Sequence, residues 1–362
     1  MERLFAPFSL RGKTLKNRIV MAPMVCFGYA GDDGRVTEKN LAHYRARARG
    51  GAGLIIVEAT CVSRAGRLAP VQLGLWSDEH IEGFKKLADL CHPEGARVLV
   101  QIHHAGLAGH RSVASHFITS SDFHGAIRGV PDAAARGMSL REVEQVKQDF
   151  VSAALRAQKA GLDGVELHGA HGYLLSQYFS PMINKRQDAY GGPAINRARL
   201  AAEIIREIRR AAGHDFIVTC RMGCNEPDFN QGLEIARALE SAGVDLLHIS
   251  SGMSTLFGPG ETPTVPKEFP FSWLVYGGAL VKRAVRTPVA VVGGIRTPEQ
   301  AASILEGGLA DLVALGKALL TDPDWPNKAR SKNQITTCLD CKMCAYFKPG
   351  SQPGIDCPQR KK

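Results

Sequence analysis

The run Ala160-Gly161-Leu162-Asp163-Gly164-Val165-Glu166-Leu167-His168 decides the fold. It closes a segment of helical spacing, Leu140 to Ala160, and the glycine just past that helix accepts a left-handed backbone. The aspartate opens a short connection, and Gly164 to His168 follows as a brief apolar strand. The same form recurs at Ala242-Gly243-Val244-Asp245. Working outward, short runs rich in Val, Ile and Leu lie at Ile19 to Ala22, Leu54 to Ala59, Val98 to His103, Phe216 to Arg221, Asp245 to Ser250, Val289 to Gly293 and Asp311 to Leu315. Continuous rather than alternating hydrophobicity fits parallel strands buried on both faces, although a short run alone does not exclude a buried helix turn. Segments of helical spacing, such as Arg197 to Ala212, separate them. Strand-then-helix units in this number predict a (β/α)₈ TIM barrel, with catalytic groups at the carboxyl ends of the strands. The competing architecture is an open doubly wound sheet, but the sequence contains no Gly-x-Gly-x-x-Gly fingerprint.

With 362 residues and 44% hydrophobic content the chain can bury one large core. The expected organisation is a barrel over residues 1–330 and a cysteine-rich segment over 331–362. No stretch approaches the roughly 20 apolar residues that span a bilayer, and no basic segment at the start leads into an apolar run. A soluble, cytoplasmic protein without membrane contact is expected. The formal net charge of +10 comes from scattered basic residues, which reads as a solvated surface and not as a nucleic-acid face. Ala105 to Met138, Met182 to Asn196 and Met253 to Ser272 are too long to be plain connections, and such excursions usually form lids and substrate walls.

The fourth run leads into Glu166-Leu167-His168-Gly169-Ala170-His171-Gly172-Tyr173, two imidazoles and a phenol at the barrel mouth. Two histidines can donate to one oxygen and draw electron density from a conjugated carbonyl or nitro group. A phenol of ordinary pKa about 10 can deliver a proton nearby. The alternatives are a metal pair, needing a further ligand such as His103 or His104, and for Tyr173 a simple wall residue.

At the other end of the chain Cys338-Leu339-Asp340-Cys341-Lys342-Met343-Cys344 sets three thiols at steps of three, and Cys357 follows. Clustered thiols point to a metal rather than to a disulfide framework. Three on one turn with a fourth closing the far side suit a [4Fe-4S] cluster, whereas zinc more often takes two separated pairs.

The chain resembles the old yellow enzyme family, and more closely its 2,4-dienoyl-CoA reductase and bacterial NADH:flavin oxidoreductase branches. The likeness rests on Leu15 to Met24, Val57-Glu58-Ala59, Gln101 to Gly106, His168 to Leu174 and Asn184 to Gly192, in that order and spacing. It implies FMN, with Pro23, Met24 and Ala59 against the ring. It also implies Gln101 at the pyrimidine edge and Arg221 facing N1 and O2. Gly293, Gly294, Gly316 and Lys317 would form the phosphate cup after the seventh and eighth strands. His168 and His171 would hold an α,β-unsaturated substrate, and Tyr173 would protonate it. Ala22, Val25 and Phe27 depart from residues common in relatives. The dienoyl-CoA reductase branch carries an iron-sulfur cluster in the cysteine region, although its third cysteine usually lies one residue later than Cys344. FAD and NADPH domains follow the barrel in that branch. This sequence stops five residues after Cys357, so a separate electron-transfer protein is the expected donor, with NAD(P)H as the other route. The family's habit implies a homo-oligomer. Enoyl or dienoyl thioesters, quinones, cyclic enones and nitro compounds all suit the motifs. An electron-transfer subunit and a quinone or nitro reductase with structural zinc remain the alternatives.

Overall fold

The structure is a computed structural model and describes residues 1–127, 130–253, 257, 264–341, 344–345 and 357–359. Eight parallel strands close into a barrel: β1 (Ile19–Met21), β2 (Leu54–Cys61), β3 (Arg97–His103), β4 (Gly164–Gly169), β5 (Ile217–Gly223), β6 (Leu246–Ser250), β7 (Val289–Val292) and β8 (Leu312–Leu315). Each follows its neighbour in sequence around the ring, and β8 pairs with β1 to close it. The strands fall where the eight apolar runs place them.

Both strand faces are buried, which explains the lack of alternation. Val165 and Leu167 of β4 pack outward in the core shared with the helices, while Leu54, Ile56, Leu99, Ile217, Leu246 and Leu312 form a separate apolar plug. The antiparallel hairpin of Phe8–Leu10 with Lys13–Leu15 contributes Leu10 and Leu15 to that plug, so it closes the amino-terminal end of the barrel.

The turns behave as their sequence suggests. Gly161 and Gly243 take φ of +78° and +88°, a conformation that a side chain would strain. The aspartates that follow do more than start a turn. Asp163 accepts from Val98 N, Asp245 from Val218 N and Asp311 from Val289 N, each at 2.8 Å. Each carboxylate pins the first amides of the preceding strand, and Asp163 is further held by His92 and Arg97.

The excursion after β3 folds into its own three-stranded sheet of Ile118–Thr119, Phe123–Ile127 and Val130–Gly137. The Met182 to Asn196 stretch staples it down: Arg186 Nη1 donates to Ser120 O at 3.0 Å and Met138 O at 2.5 Å. Of the Met253 to Ser272 excursion, residues 254–256 and 258–263 lie outside the described residues. Among the described residues no helix is long and apolar enough to cross a membrane.

Candidate functional site

The site opens at the carboxyl ends of the strands as two adjoining cavities. One, about 270 Å³, runs from Ala22, Pro23 and Met24 past Arg221 to Gly293, Gly294, Gly316 and Lys317. The other, about 290 Å³, joins Pro23, Met24, Val25, Phe27, Ala59 and Gln101 to His168, His171, Tyr173 and Arg221. Pro23, Met24 and Arg221 line both, so the two form one groove. The groove gathers all the residues that the sequence nominated for cofactor and substrate.

The imidazoles do not stand as two independent donors. His103 Nδ1 meets His168 Nδ1 at 3.1 Å, His168 Nε2 meets His171 Nδ1 at 3.1 Å, and His171 Nε2 meets Ser250 Oγ at 2.7 Å. They form a chain, and a ligand oxygen must take the place of the contact between His168 and His171 to receive both. The Tyr173 ring packs edgewise on His103 and His168, with centroids 4.4 and 4.8 Å away. His171 has φ of +61°, left-handed for a residue with a side chain, and its amide is held by Ser251 O at 3.0 Å. His104 braces the backbone instead of facing the groove. Its Nδ1 accepts from Gly106 N, and burial pushes its pKa down to about 4.

Buried polar side chains form the floor. Gln101 Nε2 donates to Glu166 Oε1 at 2.8 Å, and His248 Nδ1 lies 3.0 Å from Glu166 Oε2. Arg221 reaches Ser250 Oγ at 3.3 Å and Pro23 O at 3.5 Å, but its buried Nε has no partner among the described residues. Burial lowers the Arg221 pKa to about 10, against the opposing pull of Glu166. A buried guanidinium with an unmet donor on a groove fits an anionic or electron-rich ligand edge, as a flavin presents.

Glycines form the far end. Gly293 and Gly294 have φ of +119° and +71°, and a Cβ on Gly316 would come within 3.3 Å of Met24 Sδ. Bare backbone is what a phosphate requires for close approach. Lys317, expected at the phosphate cup, lies at this end and pairs with Asp340 at 2.5 Å, and Arg296 holds the same carboxylate at 2.6 Å. Neither Arg296 nor Asp340 was singled out by the sequence. The signal available was a basic residue just past Gly293-Gly294 and an acid between two cysteines.

Cys338, Cys341, Cys344 and Cys357 line one further cavity with Lys317 and Leu320. Cys338 and Lys317 also line the groove, so the two spaces share a wall. Among the described residues, no three His, Cys, Asp or Glu side chains stand close enough to hold a metal ion. Residues 342–343, between Cys341 and Cys344, and 346–356, before Cys357, lie outside the described residues.

Two buried carboxyls brace the loops of the mouth. Glu58 accepts from Cys26 N at 3.1 Å and from Tyr44 and Asn40. Glu226 accepts from Ser176 Oγ at 2.5 Å and Met253 N at 3.2 Å, and Ser176 in turn receives Gly172 N. Burial pushes both pKa values up from 4.5 to about 8. The folded chain therefore holds protons that the unfolded chain releases. The stability these groups contribute is complete below about pH 4.5 and is lost as pH rises through about 8. The melting temperature is expected to fall across that window, less steeply in Glu58→Gln; parallel calorimetric profiles for the two proteins would contradict the assignment.

A closed barrel whose mouth joins a glycine-lined, cation-flanked end to an imidazole-lined end is the architecture of a cofactor-binding barrel enzyme. The profile of the NADH:flavin oxidoreductase / NADH oxidase family matches residues 3–335. The chain is 39% identical over 350 residues to a NADH oxidase of Thermoanaerobacter brockii, covering 94% of this chain and 53% of that protein. It is 37% identical over 333 residues to a NADPH dehydrogenase of Geobacillus sp. (strain WCH70), covering 90% and 93%. Among solved structures, a 2-naphthoyl-CoA reductase in complex with 2-naphthoyl-CoA superposes with a TM-score of 0.87 at 26% identity, covering 96% of this chain and 55% of that one. The old yellow enzyme homologue of Zymomonas mobilis gives 0.81 at 27% identity, covering 98% and 99%. The chain thus spans about half the length of the T. brockii oxidase. It belongs to the NADH:flavin oxidoreductase / NADH oxidase family and is an FMN oxidoreductase of the old yellow enzyme type.

Proposed function

We propose that this barrel is an ene-reductase acting on an α,β-unsaturated carbonyl compound or an enoyl or dienoyl thioester. The observation that carries the reading is the shared cavity: Gln101 and Arg221 line the same space as His168, His171 and Tyr173. When bound, reduced FMN supplies the hydride for the β-carbon. Pro23, Met24 and Ala59 pack against its ring, while Gln101 and Arg221 hold the pyrimidine edge. His168 and His171 exchange their mutual contact for the substrate oxygen and polarise the double bond. Tyr173 delivers its proton to the α-carbon from beside the imidazoles. Gly293, Gly294, Gly316 and Lys317 take the phosphate. Lys317→Ala is accordingly expected to weaken FMN about tenfold while leaving riboflavin within about twofold, read by flavin fluorescence titration. Equal loss for both flavins would remove Lys317 from the phosphate end.

The cysteine segment, residues 331–362, is proposed to bind a [4Fe-4S] cluster through Cys338, Cys341, Cys344 and Cys357. Four soft thiol donors on one cavity suit iron and sulfide, and zinc is the competing occupant. The wall shared with the groove supports a relay from a separate electron-transfer protein, with NAD(P)H as the alternative donor. Visible and EPR spectra of protein purified without air, with iron and flavin content, test the cofactors. Anaerobic titration with NADH, NADPH and reduced ferredoxin then tests the donor, and rapid full reduction by a nicotinamide alone would exclude the need for a partner. A colourless protein with stoichiometric zinc would overturn the whole reading.

A further inference from the structure

Beneath the groove lies a carboxylate that the proposed reaction does not use. Glu166 on β4 turns into the barrel and is fully buried, behind Gln101 and Arg221, which line the groove itself. A buried carboxylate survives only with donors or countercharge around it. Here the donors are the Gln101 amide at 2.8 Å and His248 Nδ1 at 3.0 Å, and the nearby positive charge is Arg221.

Two consequences follow from the chemistry of the donors. Gln101 turns its nitrogen inward to donate to Glu166 Oε1, which leaves the amide oxygen for the groove. His248 is buried, which disfavours its charged form, and its Nδ1 faces Glu166 Oε2 at 3.0 Å, so a neutral imidazole that donates to Glu166 carries its proton on Nδ1. Its Nε2 has no partner among the described residues, as an imidazole protonated only at Nδ1 would leave it.

We propose that Glu166 is a positioning residue that sets how strongly the groove prefers reduced over oxidised flavin. It orients the Gln101 amide as an acceptor towards the ring and offsets the charge of Arg221. This rests on the reading that FMN lies with its pyrimidine edge at Gln101 and Arg221. Reduction puts negative charge on that edge. A floor in which Arg221 is balanced by Glu166 stabilises the added charge less than Arg221 alone would. Removing the negative charge should therefore favour the reduced form.

The test measures the affinity of apoprotein for oxidised and for reduced FMN, the latter through anaerobic equilibration with redox dyes. In Glu166→Gln the ratio of the two affinities is expected to shift about tenfold towards reduced FMN, equivalent to about 30 mV upward for a two-electron couple. Glu166→Asp, which keeps the charge, should return the ratio to within about threefold of the parent. Loss of both affinities by the same factor in Glu166→Gln would mean a merely structural carboxylate and would overturn the inference. Should that variant fail to fold, nitrogen NMR of the unaltered protein decides. A neutral His248 protonated at Nδ1 supports an ionised Glu166, and one protonated at Nε2 requires a protonated carboxyl and overturns it. Unaltered apoprotein that fails to bind FMN removes the underlying reading as well, whereas normal FMN binding with an unshifted ratio removes this inference alone.

Discussion

Tyr173→Phe is expected to slow alkene reduction by two to four orders of magnitude while the rate of flavin reduction stays within about twofold. The hydroxyl is the only part of the side chain that the change removes, and the ring contacts with His103 and His168 survive it. Binding of the substrate oxygen, assigned to the two imidazoles, should change little. Stopped-flow measurement of the two half-reactions separates these effects. Equal slowing of both halves, or of neither, would take proton delivery away from Tyr173. A double replacement of His168 and His171 should act on the other side of the same reaction by abolishing the binding of phenolic ligands.

If the proposed cluster is present, Cys341→Ser should reduce iron to background and bleach the broad visible absorption expected of it, since a hydroxyl is a poor ligand for iron-sulfur chemistry. Flavin content should hold, because among the described residues of this segment only Cys338 and Asp340 line the groove. The comparison to make is iron, sulfide and flavin per chain, together with reduction by ferredoxin. Retained iron would exclude Cys341 as a ligand, and undiminished ferredoxin-driven turnover without iron would exclude the relay.

Much of the barrel was legible because each strand is buried on both faces and mostly apolar, so its run stands out without any periodic pattern. The segment from His168 to Tyr173 was legible because two imidazoles and a phenol crowd one strand end. Glu166 was not, although it stands in the same octapeptide. One carboxylate in an apolar run carries no spacing signal, and its partners Gln101 and His248 lie 65 and 82 residues away. The coupling of the imidazoles into a chain was equally hidden, because it depends on the left-handed turn at His171. Lys317 illustrates the converse. Its place beside the groove followed from the eighth strand, but its pairing with Asp340 joins residues 23 positions apart, across the helices Lys317–Thr321 and Trp325–Ser331 and an irregular stretch in which nothing announces the contact.

The three aspartates at Asp163, Asp245 and Asp311 divide the molecule's labour. They rivet alternate strand pairs at the base, opposite the mouth, so the stagger of the cylinder is settled where no ligand reaches. The rim is thereby released from architectural duty. Exchanges at Ala22, Val25 or Phe27 can retune what the enzyme accepts without disturbing the vessel that carries them, giving this scaffold latitude to acquire new substrates by small steps.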